Sequence, residues 1–400
     1  MDSPSSLVAV QATVDWAPTL RLLLLVAIVA LLPLSWVWLR QRGSDTRGRL
    51  AALTALTLFL TFDLIVFGSF TRLSDSGLGC PDWPGCYGEV SPFAARADIS
   101  AAESAMPGGP VTWSKAWIEM IHRYLAMTVG ALILVMAVAA WVDRKRLPFS
   151  PWWPTFTLVW VVIQGLFGKY TVTLKLYPAI VTVHLLGGLM LLALLAVQHT
   201  RFQQQGQAGA LLPLSKTLRR LGALALVVLV VQIATGGWVS TNYAVLACQG
   251  FPMCNGQWWP EMNFDEGFQI LRHLGRTGDG GLLSFEALVA IQMVHRLCAV
   301  VATAVLGWLA WQLWRTPVAR RWGAALAGLL LLQLISGLSN VVLGWPLLAA
   351  LGHSAGAAAL VLLLTLLLSR SAAQESAQEL AQEAKHAVQS ERPLRKSAAA

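Results

Sequence analysis

The sequence predicts an all-α polytopic membrane protein: two parallel, pseudo-repeated four-helix bundles preceded by one extra N-terminal transmembrane helix. Three observations predict it. The 400 residues are 56% hydrophobic and only 12% charged, with a mean hydropathy of +0.60, which is too apolar for an ordinary soluble domain. Nine apolar runs are of the length, roughly 20 residues, that crosses a bilayer. They lie at 18–39, 51–71, 116–142, 153–171, 178–198, 219–240, 286–313, 323–344 and 346–369. The last eight fall into two groups of four that carry the same landmarks in the same order.

Residues 1–17 have neither a basic stretch nor a clear small-residue cleavage site, so the run 18–39 reads as a retained helix rather than a signal peptide. Basic residues gather between alternate runs: Arg40, Arg42, Arg47 and Arg49; Arg144, Lys145 and Arg146; Arg201, Lys216, Arg219 and Arg220; Arg315, Arg320 and Arg321. By the positive-inside rule these segments face the cytoplasm. The connections 72–115 and 241–285 then lie outside with the N-terminus, and the tail with Arg392, Arg395 and Lys396 lies inside. This scatter accounts for the net charge of +9 and argues against nucleic acid as a partner; membrane lipid is the surrounding. The chain therefore divides into an extra helix and loop at 1–50, a bundle at 51–200, a second bundle at 219–370 and a tail at 371–400. The tail, rich in Ala, Gln and Glu, reads as a surface helix or a disordered end. His386 within it and His199 at an inner helix end read as solvated.

In the first group, Gly68-Ser69-Phe70-Thr71-Arg72 leads to Cys80 and Cys86, then Glu119-Met120-Ile121-His122-Arg123, Gln164-Gly165-Leu166 and Val183-His184-Leu185. In the second, Gly236-Gly237-Trp238-Val239-Ser240 leads to Cys248 and Cys254, then Gln292-Met293-Val294-His295-Arg296, Ser336-Gly337-Leu338 and Gly352-His353-Ser354. An even number of helices per group starts both from the same side, which makes the halves parallel repeats.

Four histidines, His122, His184, His295 and His353, fall within the first two turns or so of inward-running helices, at one depth. A lone histidine there is more often a hydrogen-bonded core residue; four at matched repeat positions point to a ligand set. Within each half they come from the second and fourth helices, which are diagonal in an up-down bundle. Two imidazoles meeting across a bundle centre suit the axial positions of a haem iron, whereas zinc would want further Cys or carboxylate ligands that are not repeated. Arg123 and Arg296 follow two of the histidines and Arg72 ends a helix on the same side. These arginines are candidate contacts for haem propionates or snorkel to the interface.

Cys80 and Cys86 are spaced like Cys248 and Cys254, with Pro and Gly between, and both pairs lie in the outer connections, where disulfides form. The bonds would be either staples that hold the loops as lids or small exposed disulfides that exchange with a thiol partner. Cys298 reads as a packing residue. Lys169 and Lys175, which lack counterparts, read as helix-end anchors or as partners of a substrate carboxylate. The halves differ at Glu119, which corresponds to Gln292. An ionisable group at a membrane entrance is expensive and is by default functional. Glu119 is thus the candidate catalytic carboxylate, acting as a general base, against the plainer role of ion-pairing with Arg72 or Lys115.

The stretch Thr71-Arg72-Leu73, with Ser76 to Cys86, Glu119 to Arg123, Val294-His295-Arg296 and His353, resembles the haem A synthase family of the bacterial type over about 51–369. The resemblance implies an eight-helix pseudo-repeat that oxidises the C8 methyl group of haem O to a formyl group, giving haem A for aa3-type cytochrome oxidases. It implies that His295 and His353 ligate a haem b cofactor in the C-terminal half. His122 and His184 would hold the substrate haem beside Glu119. It also implies a bacterial plasma (inner) membrane, with periplasmic cysteine loops and a cytoplasmic C-terminus. Expected partners are haem O, haem O synthase, oxidase-assembly factors and further copies of the chain. The helix at 18–39 and the tail beyond 370 depart from the family pattern. The rival readings are a bis-histidine transmembrane b-type cytochrome that only carries electrons, and a transporter using histidines as proton carriers. The first expects haems on both sides of the membrane, the second expects none.

Overall fold

The computed structural model describes residues 17–147, 150–204 and 211–373. Among them nine helices are long and apolar enough to cross a membrane: α1 (Ala17–Arg40), α2 (Thr46–Leu73), α4 (Trp113–Val142), α5 (Trp152–Thr173), α6 (Pro178–Gln204), α7 (Lys216–Thr241), α9 (Phe285–Arg315), α10 (Arg320–Val342) and α11 (Leu347–Arg370). Two short helices, α3 (Arg96–Ala105) and α8 (Phe264–Gly267), lie in the two long connections. The protein is a multi-pass, all-α membrane protein.

Several helices begin ahead of their apolar runs because caps, not hydropathy, start them. Asp45 accepts from the Gly48 amide, Thr112 from Lys115, Ser215 from Leu218 and Ser284 from Ala287, each satisfying an amide that has no partner within the helix. His122 consequently sits nearly three turns into α4, deeper along its helix than the sequence predicts, because Thr112 starts α4 ahead of its apolar run.

Helix α2 packs on α4, α4 on α5, α5 on α6, and α6 returns to α2. In the same way α7 packs on α9, α9 on α10, α10 on α11, and α11 returns to α7. The two sets meet along α6, α7, α11 and α2, and α1 lies against α4 and α2. Leu192, Leu229, Leu306, Leu309, Leu326 and Leu364 form the core of the second set and its seam with the first, while Leu132, Ile133, Met136 and Leu195 fill the first set. Leu20, Leu24, Leu31, Leu331 and Ile335 are exposed, as expected of faces turned to lipid. A two-stranded parallel ladder pairs β1 (Leu212–Leu214) with β2 (Ser371–Ala373), which ties the connection after α6 to the end of α11. The remaining tail, with His386, Arg392, Arg395 and Lys396, lies outside the described residues, as does the N-terminal segment before α1. His199 does not stand in solvent as the sequence predicts: its Nδ1 is buried and its ring bonds the backbone at Ala51, because α6 runs on past it against α2.

Candidate functional site

Each of the four histidines lies against a glycine of the neighbouring helix. A Cβ built on Gly68 of α2 would stand 2.9 Å from the His122 ring of α4, and one on Gly168 of α5 would stand 3.5 Å from His184 of α6. In the second set the distances are 2.8 Å from Gly236 of α7 to His295 of α9 and 3.0 Å from Gly337 of α10 to His353 of α11. At Gly68, Gly236 and Gly337 only a residue without a side chain lets the backbone pass so close to an imidazole, whereas at Gly168 a Cβ would make an ordinary contact. This corrects one landmark. The sequence pairs Gln164-Gly165-Leu166 with Ser336-Gly337-Leu338, but Gly165 faces open space and Gly168 does what Gly337 does. Gln164 and Gln333 match as well, each pressing its amide on a glycine of the next helix, Gly187 and Gly356.

His122 and His184 are neighbours within the first bundle, as His295 and His353 are within the second. Two imidazoles in each bundle, each packed on a glycine of the neighbouring helix, are the donor set that the axial positions of a haem would take. Among the described residues no three His, Cys, Asp or Glu side chains gather as a bare metal ion would require. Each of the four histidines lies on its own helix against a glycine of the neighbouring one. Three of their neighbours are not legible in the sequence: Thr235 and Gln232 on His295, and Ser336 on His353.

Above the histidines, both cysteine pairs close: Cys80–Cys86 and Cys248–Cys254 are disulfides. The first loop touches α4 so closely that a Cβ on Gly79 would meet the Lys115 carbonyl carbon at 2.4 Å. Glu119 and Arg123 hold this loop. Glu119 Oε2 accepts from the Cys80 amide at 2.8 Å, and its Oε1 accepts from Arg123 Nη2 at 2.5 Å. Arg123 Nη1 donates to the carbonyls of Asp82 at 2.8 Å and of Pro84 and Gly85. Lys169 adds its ammonium 5.9 Å from the centre of the Trp83 ring. In the second half Arg296 donates to the carbonyls of Cys248 at 2.8 Å and Met253 at 3.2 Å, but the Gln292 Oε1 is buried without a partner.

Several expectations change here. The partner of Glu119 is Arg123, not Arg72 or Lys115; Lys115 donates instead to the Gly109 carbonyl. Arg123 is 7% exposed, so it does not snorkel. Arg72 donates to the Ser240 carbonyl at 2.6 Å and pairs with Asp75 at 3.1 Å, with the Tyr243 ring 4.0 Å away. Burial pushes the Tyr243 phenol up, so it remains a donor to Asp75 across the seam between the halves. The three arginines thus hold loops and helix ends in this structure. A buried cation that sequence reasoning misses is Arg272, whose guanidinium bonds the Asn242 amide oxygen at 2.6 Å and lies 5.6 Å from the Trp238 ring. Its signal in sequence, one arginine among several in an outer connection, is too weak to find.

Because Glu119 and Arg123 are both buried, removing one leaves a bare charge. Arg123→Ala is expected to destabilise the protein by about 3–5 kcal/mol, measured as a lowered thermal midpoint, with the Cys80 loop becoming open to protease.

The comparisons agree on one family. The chain matches the family described as cytochrome oxidase assembly protein, COX15-CtaA, over residues 51–365. The heme A synthase of Shewanella oneidensis is 38% identical over 318 residues, covering 78% of this chain and 94% of that protein. That of Shouchella clausii is 27% identical over 261 residues, covering 64% of this chain and 73% of that protein. That of Mesorhizobium japonicum is 27% identical over 345 residues, covering 81% and 90%. With the match running through the helices that carry all four histidines, the chain belongs to the COX15-CtaA family of cytochrome oxidase assembly proteins.

Proposed function

We infer that the chain is a haem A synthase, a membrane oxidoreductase that converts the C8 methyl group of haem O to a formyl group. The single observation that carries this reading is the double histidine pair with its glycine cradles, in a chain 38% identical to a heme A synthase over most of its length. A protein that only carries electrons has no need of a carboxylate in one half alone, and a proton-carrying transporter has no need of the glycine slots.

The two bundles divide the work. His295 and His353 in 219–370 hold haem b, which when bound supplies one-electron redox chemistry. His122 and His184 in 51–200 hold the substrate haem. Oxidising a methyl to a formyl group with oxygen from water releases four protons and four electrons, and the electrons go to an electron acceptor from outside the chain. Glu119, the carboxylate found in this half and not in the other, is the acceptor for protons leaving the methyl carbon once a bound substrate displaces Arg123. The disulfide loops close both sites from the outer, periplasmic side of a bacterial inner membrane. Haem O synthase and oxidase-assembly factors are the partners expected to deliver and receive the haems, and further copies of the chain complete the expected contacts.

Cells that express this chain together with a source of haem O are expected to yield haem A, identified by mass in extracted pigment. A haem-loaded preparation that never forms haem A under these conditions defeats the reading. A purified protein with no haem spectrum at all favours the transporter.

A further inference from the structure

The two histidine pairs differ in what stands behind them. Thr235, immediately before Gly236, places Oγ1 3.0 Å from His295 Nδ1, and Ser336, immediately before Gly337, places Oγ 3.0 Å from His353 Nδ1. Each hydroxyl spends its own hydrogen on a helix carbonyl, Thr235 on Gln232 at 2.9 Å and Ser336 on Leu332 at 2.7 Å. Toward the imidazole each therefore offers a lone pair, and Nδ1 must carry the hydrogen. Gln232 strengthens the lock, since its side-chain amide also reaches His295 Nδ1, at 3.1 Å, and its buried Oε1 has no partner. Turned end for end, that amide would put the orphaned oxygen on Nδ1–H. With Nδ1 protonated and held, Nε2 keeps the lone pair, the form of imidazole that ligates iron; in the structure the Gln232 amide nitrogen also lies 3.4 Å from His295 Nε2.

The first half lacks every one of these groups. The residue before Gly68 is Phe67 and the residue before Gly168 is Phe167; a turn before Gly68, where Gln232 stands before Gly236, is Leu64. Phe67 lies nearly parallel to the His122 ring, at 14° and 6.4 Å between centres. Both His122 Nδ1 and His184 Nδ1 are buried with no hydrogen-bond partner. Among the described residues no hydrogen bond to Nδ1 fixes the tautomer of either ring.

We propose that Thr235 and Ser336 lock His295 and His353 as ligands of a resident haem, whereas Phe67 and Phe167 leave His122 and His184 unlocked, so that haem binds there exchangeably. This rests on the assignment of haem b to the second half and substrate to the first. The chemistry asks for the difference: a cofactor has to stay, while haem O has to enter and its product has to leave. The four residues are positioning residues, acting on the iron only through the imidazoles.

The test uses the full-length chain in detergent, loaded with haem b in both halves and mixed with excess apomyoglobin as a haem acceptor. The wild type is expected to release haem in a fast and a slow phase, with His295→Ala abolishing the slow one. Thr235→Val with Ser336→Ala is expected to speed the slow phase by about 10- to 100-fold. The same pair is expected to raise the midpoint potential of that haem, because a less basic imidazole favours the ferric iron less. Thr235→Ser is expected to retain both properties, which a mere packing role would not predict. Phe67→Thr with Phe167→Ser is expected to slow the fast phase. One common rate for both wild-type haems overturns the proposal. So does an unchanged slow phase and potential in the Thr235 and Ser336 variant while His295→Ala still removes that phase; the assignment of the halves then stands. If His122→Ala removes the slow phase instead, the assignment of the halves has failed and the proposal falls with it.

Discussion

Glu119→Gln is expected to stop haem A formation almost completely, lowering it by about 10²- to 10⁴-fold, the range that a positioned acid or base contributes. Haem O or a hydroxylated intermediate should accumulate in its place. The substitution separates two roles that the geometry joins. A glutamine oxygen can still accept from the Cys80 amide, as Glu119 Oε2 does at 2.8 Å, and it keeps the shape of the side chain. It loses the charge that pairs with Arg123 and the ability to take a proton. A role confined to holding the loop predicts instead a protein destabilised by the bare Arg123 charge whose folded fraction still makes haem A at a rate close to the wild type, so haem A is counted per folded protein. Pigments extracted from cells with a haem O source, resolved by mass, distinguish the outcomes. Full haem A formation by Glu119→Gln removes Glu119 from the chemistry. The natural control is inside the same chain, where Gln292 occupies the matching place and makes no such contact through its buried Oε1.

Alanine at the cradle glycines is expected to expel haem in the order of the distances each new Cβ would face. At Gly236 and Gly68 the Cβ would stand 2.8 and 2.9 Å from imidazole carbon, closer than real side chains approach, at Gly337 3.0 Å, and at Gly168 an ordinary 3.5 Å. Overpacking a tight site costs about 1–3 kcal/mol, which corresponds to roughly 5- to 150-fold in haem affinity. Gly236→Ala should thus empty the second half and Gly68→Ala the first, Gly337→Ala should weaken binding less, and Gly168→Ala should change little. Haem per protein, counted by absorbance after pyridine treatment, reads each half when combined with alanine at a histidine of the other. Equal haem content across the four variants would show that the glycines do not shape the slots. The order matters because loss of stability alone would not follow the distances to the rings.

Much of this protein is legible before any coordinates. Long apolar runs separated by basic clusters declare spanning helices, since a lipid interior forces backbone polar groups to pair within each segment. Glu119, His122, His184, His295 and His353 are legible because ionisable residues inside such runs are costly and rare. The paired cysteines stand out by recurring in both outer connections. Where the reading slipped, it relied on local resemblance. Gly165 looks like the partner of Gly337 because each follows a polar residue and precedes a leucine, yet only Gly168 abuts a histidine. The arginines beside the histidines read as propionate contacts or as interface residues, and in the structure Arg123 and Arg296 donate to loop carbonyls.

The sequence by itself determined the membrane class, the number and rough limits of the helices and the identity of the four histidines, because hydropathy and charge act over short stretches of chain. Tertiary structure alone decided which way each polar side chain turns. It set Arg123 against Glu119 and the Cys80 loop, Gly68 and Gly236 behind the imidazoles, and Thr235 and Ser336 on the second pair of histidines with nothing equivalent on the first. The physical reason is range. A buried donor or acceptor must be satisfied by whatever group packing brings within about 3 Å, and here, the Glu119–Arg123 pair within α4 apart, that group stands on another helix or in a loop.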